Sequence, residues 1–148
     1  GSLGMAGGQA IDLAAVGQQL TLDALERMHR YKTGALIRAS VLLGALAAGC
    51  ESDDPRWAGL DRYGRELGLA FQIHDDLLDV LGDTATLGKP QGSDIARGKP
   101  TYPALIGIDA AQALAQQHMQ AALDAVAPLG AAAEPLRLIA RYVVERAS

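Results

Sequence analysis

The chain has a single cysteine, Cys50, so an internal disulfide is excluded, and a reducing, cytoplasmic setting is the expectation. Aromatic residues are scarce at 4%, with one Phe and one Trp. β-branched residues are sparse beside alanine, leucine and glycine, which disfavours sheet and favours helix. No apolar run reaches the roughly 20 residues of a membrane span. The longest, ALIRASVLLGALAAG at 35–49, contains Arg38. Basic residues are outnumbered, 13 against 17 acids, for a net charge of −4. That balance excludes a general pull toward nucleic acid or anionic membrane, and any basic site must be local. The opening GSLGMAGGQ has neither a helix cap nor a basic cluster. A chain that begins partway along an element of a longer protein is therefore expected.

What is present fits one globular domain over residues 1–148, with 49% apolar and 20% charged residues. A weak helix is predicted from Leu3 to Val16. Thr21 reads as the N-cap of a second helix, with Glu26 and Arg30 as an i,i+4 pair. Gly34 is expected to interrupt that helix. The apolar 35–49 stretch should follow as a central helix. Asp54-Pro55 marks the next start, and one long helix is predicted from Arg56 to about Leu81. The segment 82–103 holds four glycines and three prolines and reads as a long loop. Helices are then predicted near Thr101, from Asp109 to Ala127, and from Glu134 to Arg146. Pro128 and Gly130 form the break between the last two.

The segment FQIHDDLLDVLGD, from Phe71 to Asp83, sets acids among leucines with no base between them. At about 100° per residue, Asp76, Asp79 and Asp83 fall within roughly 40° of Gln72, and Asp75 within roughly 60°. Apolar residues cover the rest, so a buried helix with one acidic seam is predicted. Neighbouring like charges repel, and far more so in a dry cleft. Arginines from other helices or a divalent cation would offset this. Oxygen-only ligands suit Mg²⁺ bridged to phosphate. A solvated acidic face is the plain alternative. His74 points to the apolar side as a core or interface residue. Lys89, Arg97 and Lys99 lie in the glycine-rich loop, and Lys32-Thr33 precedes Gly34. Together these read as a diphosphate held between Mg²⁺ and lysines, with the Lys32-Thr33 hydroxyl and backbone N–H available to an oxyanion.

GGQAIDL (7–13), YKTGALIRAS (31–40) and GLAFQIHDDLLDVLGDTATLGKPQGSDIARGKPTYPALIG (68–107) resemble bacterial short-chain isoprenyl diphosphate synthases, closest to those making farnesyl diphosphate. The resemblance implies an all-α fold, the C-terminal part of a helical bundle around a central cavity. It implies an Mg²⁺-dependent trans-prenyltransferase that condenses isopentenyl diphosphate with an allylic diphosphate. Asp75, Asp76 and Asp79 match the family's second Asp-rich motif, with Asp75 as the direct metal ligand. Lys32 and Lys99 match lysines on the allylic diphosphate. Thr33 and Gln72 match residues that contact the allylic substrate and help remove the final proton. Lys89 and Asp94 match loop positions, and Gln9 and Asp12 match residues lining the cavity.

The sequence has no second DDxxD, so the first Asp-rich motif of the family is absent. The expectation is the C-terminal half of a longer synthase, inactive by itself, self-associating through an exposed apolar face. Geranyl or geranylgeranyl synthases and a non-catalytic helical subunit are the alternatives. His29, His74 and Asp75 would also suggest a metal-dependent phosphohydrolase, but His29 reads as lying on a charged helix face. A terpene cyclase would need an Asn/Ser/Glu metal motif, which the sequence lacks.

Overall fold

The structure, a computed structural model, describes residues 1–2, 4–18, 20–81 and 99–146. The expected loop acids and bases Asp83, Lys89, Asp94 and Arg97 lie outside the described residues. Every regular element among the described residues is helical. In chain order they are α1 (Met5–Ala15), α2 (Leu22–His29), a π turn (Arg30–Gly34), α3 (Ala35–Ala47), α4 (Trp57–Leu81), α5 (Tyr102–Ile106), α6 (Ile108–Val126), a 3₁₀ segment (Ala127–Ala133) and α7 (Glu134–Glu145).

Local chemistry explains the boundaries. The Ala24 N–H donates to Thr21 Oγ1 at 3.3 Å, which caps α2, and Arg30 pairs with Glu26 at 3.2 Å. The Asp54 carboxylate accepts from the Arg56 N–H at 2.8 Å just ahead of α4. Gly107 and Gly130 take φ of 83° and 62°, values that suit glycine, at the joints around α6.

Helix α4 is the axis of the fold. It runs antiparallel to α6 over most of their lengths and takes α3 on another side. The α6 face is small and apolar, built from buried Ala111, Ala115, Ala122 and Val126. Small residues let the backbones close in. A Cβ on Gly59 would come within 2.6 Å of the Ala125 carbonyl oxygen. Tyr63, with no exposed surface, ties α4 to α7 by donating to the Leu136 carbonyl at 2.8 Å. Leu67, Ala70, Ile73 and Leu77 continue the core along α4.

Two sequence expectations are corrected here. Gly34 does not break the helix. The backbone stays helical from α2 through the π turn into α3, so the N–H groups near Lys32 sit inside a continuous helix. Helix α3 is also not central. Only Ala45 is buried, while Leu36 and Leu43 are 63% and 65% exposed. A uniformly apolar helix has no preferred inner face, and here only one side meets α4. Leu46 of α3 and Met5 and Leu13 of α1 are exposed as well.

Candidate active site

Three helices meet where glycines remove the side chains between them. A Cβ on Gly8 of α1 would lie 2.1 Å from the Lys32 backbone nitrogen, and one on Gly68 of α4 would lie 2.8 Å from the Gly34 Cα. The π turn is thus clamped between α1 and α4. A π turn shifts the phase of the side chains that follow it, and such turns recur at functional sites. Here Lys32 faces α1, where its Nζ donates to Asp12 Oδ2 at 2.7 Å. Thr33 faces α4, where its hydroxyl donates to the Gln72 amide oxygen.

These contacts border a small polar cavity of about 120 Å³. It is lined by Asp12, Met28, His29, Lys32, Gln72, Asp75, Asp76, Lys99, Pro100 and Thr101. The structure therefore joins Lys32 and Lys99, 67 positions apart, with Gln72, Asp75 and Asp76 of the acid seam. A second cavity of about 510 Å³ between α4, α6 and α7 is larger, but its lining has no lysine or arginine to meet an anion.

The seam is less uniform than helical spacing predicts. Asp76 is buried and accepts the Tyr102 N–H at 3.0 Å, which anchors the start of α5. Asp75 is the open member, 44% exposed, with the Arg146 guanidinium 3.7 Å away. Arg146 also lies over the Phe71 ring, 4.6 Å from its centroid, and its carbonyl accepts from His74 Nε2 at 2.9 Å. His74 thus holds the end of the chain, an interface role. Asp79 is completely buried and lies outside the cavity lining.

Among the described residues no cluster of three or more metal-ligating side chains forms, so Asp75, Asp76 and Asp79 do not converge as a triad. The donor set still fits a hydrated Mg²⁺. That ion favours one or two carboxylates plus substrate phosphate over an all-protein cage. Asp75 and Asp76 supply such oxygens at the cavity wall. Gln9 is exposed and does not line this cavity, whereas Asp12, three residues on, is buried against Lys32.

His29 is the residue the sequence reading misplaced. It is only 5% exposed, lines the cavity and stacks on Tyr102 with ring centroids 5.7 Å apart. Burial, then the positive charges of Lys32 and Lys99, lower its pKa to about 4 against a partial opposing pull from Asp12. The imidazole is neutral at neutral pH. Burial likewise pushes the Tyr102 phenol well above its usual range. One signal was legible: Leu25, Met28, His29 and Lys32 share a face at helical spacing, and the first three are buried. The partnership of Arg146 with Asp75 had no local signal, because the two are far apart in sequence.

The chain spans about half the length of the relatives it matches. A model of the polyprenyl synthetase family matches residues 2–132. Farnesyl diphosphate synthase of Escherichia coli is 51% identical over 151 residues, covering 99% of this chain and 50% of that protein. The Geobacillus stearothermophilus farnesyl diphosphate synthase is 45% identical, covering 82% of this chain and 40% of that protein. Among solved structures, a polyprenyl synthase from Caulobacter crescentus, complexed with calcium and isoprenyl diphosphate, superposes with a TM-score of 0.87 at 28% identity. It covers 97% of this chain and 56% of that one. A geranyltransferase from Helicobacter pylori, complexed with magnesium and isoprenyl diphosphate, gives 0.78 at 31% identity, covering 95% and 46%. The chain belongs to the polyprenyl synthetase family. Its all-α fold is that of the helical polyprenyl synthases. No helix among the described residues is long and apolar enough to cross a membrane.

Proposed function

We propose that this chain is the part of a farnesyl diphosphate synthase that binds the allylic diphosphate. The parent reaction would be Mg²⁺-dependent condensation of isopentenyl diphosphate onto an allylic diphosphate. One observation carries the reading: Lys32 and Lys99 border the same polar cavity as Gln72, Asp75 and Asp76. The match to farnesyl-forming relatives at 51% and 45% identity supports the product length.

In this reading the lysines, as point charges bordering the cavity, stabilise the charge that develops on the leaving diphosphate. Asp12 holds the Lys32 ammonium in place before substrate arrives. Mg²⁺, when bound by Asp75 and Asp76, would polarise the phosphate oxygens as a Lewis acid. Thr33 and Gln72 hold each other beside the cavity and offer only a hydroxyl and an amide. Groups that mild do not trap an allylic cation, yet they can orient the diphosphate that accepts the final proton. Lys89 belongs to the proposal as a further phosphate contact.

The first Asp-rich motif is absent from the sequence. The proposal therefore includes a partner segment that supplies it, and a chain that turns over no substrate alone. It further includes self-association through the exposed leucines of α3, and a cytoplasmic setting. Titration calorimetry of the 148-residue chain with inorganic pyrophosphate and Mg²⁺ tests the site. Binding is expected, weakened about tenfold or more by Lys32→Met, in keeping with loss of a charge-assisted hydrogen bond. No binding by the unmodified chain would refute the reading. Release of product from labelled isopentenyl diphosphate by this chain alone would refute the need for a partner segment. A clean monomer in light scattering would refute self-association.

A further inference from the structure

The cavity holds more polar surface than the charged residues use. Both ring nitrogens of His29 are buried with no hydrogen-bond partner, and so is the hydroxyl of Thr101. The two residues are 5% and 2% exposed, and both line the same cavity as Lys32 and Lys99. Buried polar side chains almost always find a partner, and an orphaned one costs stability. Two orphans border one anion-sized cavity, where a bound anion would satisfy them. The stack on Tyr102 fixes the plane of the imidazole, and the Tyr102 N–H is itself fixed by Asp76.

We propose that His29 and Thr101 are uncharged anchors of the diphosphate, donating an imidazole N–H and a hydroxyl to phosphate oxygens that the lysines neutralise. This rests on the diphosphate reading above and extends it. An uncharged donor adds direction where the lysines supply charge. It also avoids a third cation beside Lys32 and Lys99, whose repulsion would have to be overcome before the anion arrives. The positive neighbours favour the neutral ring that this role requires.

The test uses the 148-residue chain, inorganic pyrophosphate with Mg²⁺, and two readouts. In long-range ¹H–¹⁵N spectra of the histidine rings, the His29 nitrogens are expected to shift on titration while His118, paired with Glu66 at 2.7 Å and outside the cavity lining, stays still. In calorimetry, His29→Phe keeps a ring to stack on Tyr102 and should weaken pyrophosphate about tenfold. His29→Gln, which restores a donor, should recover part of that loss, as a merely structural role would not predict. Thr101→Val should weaken binding by a smaller factor. If His29→Phe is not folded by circular dichroism, the ring spectra of the unmodified chain decide alone. Pyrophosphate that binds with unshifted His29 nitrogens, or with equal affinity in His29→Phe, overturns this inference and leaves the diphosphate site standing. A chain that binds no pyrophosphate overturns both.

Discussion

Helix α3 has one charged residue in 13 and buries a single side chain, whereas α4 carries four aspartates among its 25 residues and buries 11 of those residues. Hydropathy alone would rank them the other way. The difference lies in how many sides each helix offers a partner. Along α4, glycines 64 and 68 admit the backbones of α3 and the π turn, while Leu77, Leu78 and Leu81 border a cavity with α6 and α7. Helix α3 meets neighbours on one side only and leaves leucines outside. Burial follows the packing surface a helix shares, and the acids of α4 are tolerated because they line a cavity or hold a partner.

Mutations can break that contrast. Leu77→Ala, at a position 4% exposed, should cost about 3 kcal/mol in urea unfolding, and Leu43→Ala, 65% exposed, should stay within about 0.5 kcal/mol. Equal losses would erase the distinction between the helices. Nearly as large is a pH effect from the cavity. Folded His29 titrates near 4 against an ordinary 6.5, so between those values only the unfolded chain holds the proton. Stability from this residue is complete above 6.5 and is lost as pH falls toward 4, by up to about 3 kcal/mol. Unfolding at stepped pH should show that slope, reduced in His29→Gln, and an unchanged slope would remove the buried neutral imidazole. Glycines sharpen the comparison at smaller scale. Gly68→Ala, pressed on Gly34, should destabilise by about 2 kcal/mol, while Gly44→Ala in α3, with open space around it, should stabilise by about 0.5 kcal/mol.

Most of the fold was legible along the chain. Thr21 and Asp54 sit at helix starts, Gly130 kinks the segment between α6 and α7, and the helices from Trp57, Ile108 and Glu134 begin within a residue or so of where pattern and punctuation put them. The site was legible in part. The seam of Gln72, Asp75 and Asp76 followed from helical spacing, and Lys32, Lys99 and Asp12 followed from the resemblance. Three features did not follow. The π turn has no sequence signature as clear as a cap or a proline, so Gly34 read as a break. Gln9 and Asp12 lie on one short helix, and which of them turns inward depends on how Gly8 seats against Lys32. His29 has charged neighbours in sequence that outweigh the one signal of its burial, the face it shares with Leu25 and Met28.

By itself the sequence determined a helical chain, the acid seam and the residues able to meet a diphosphate, because caps, glycines and helical periodicity act over a few residues. Only the tertiary structure decided which of those residues share a cavity. Lys32 and His29 share one continuous helical run, whereas Asp76 lies on α4 and Thr101 just ahead of α5, and the glycine contacts set how closely that run meets α4.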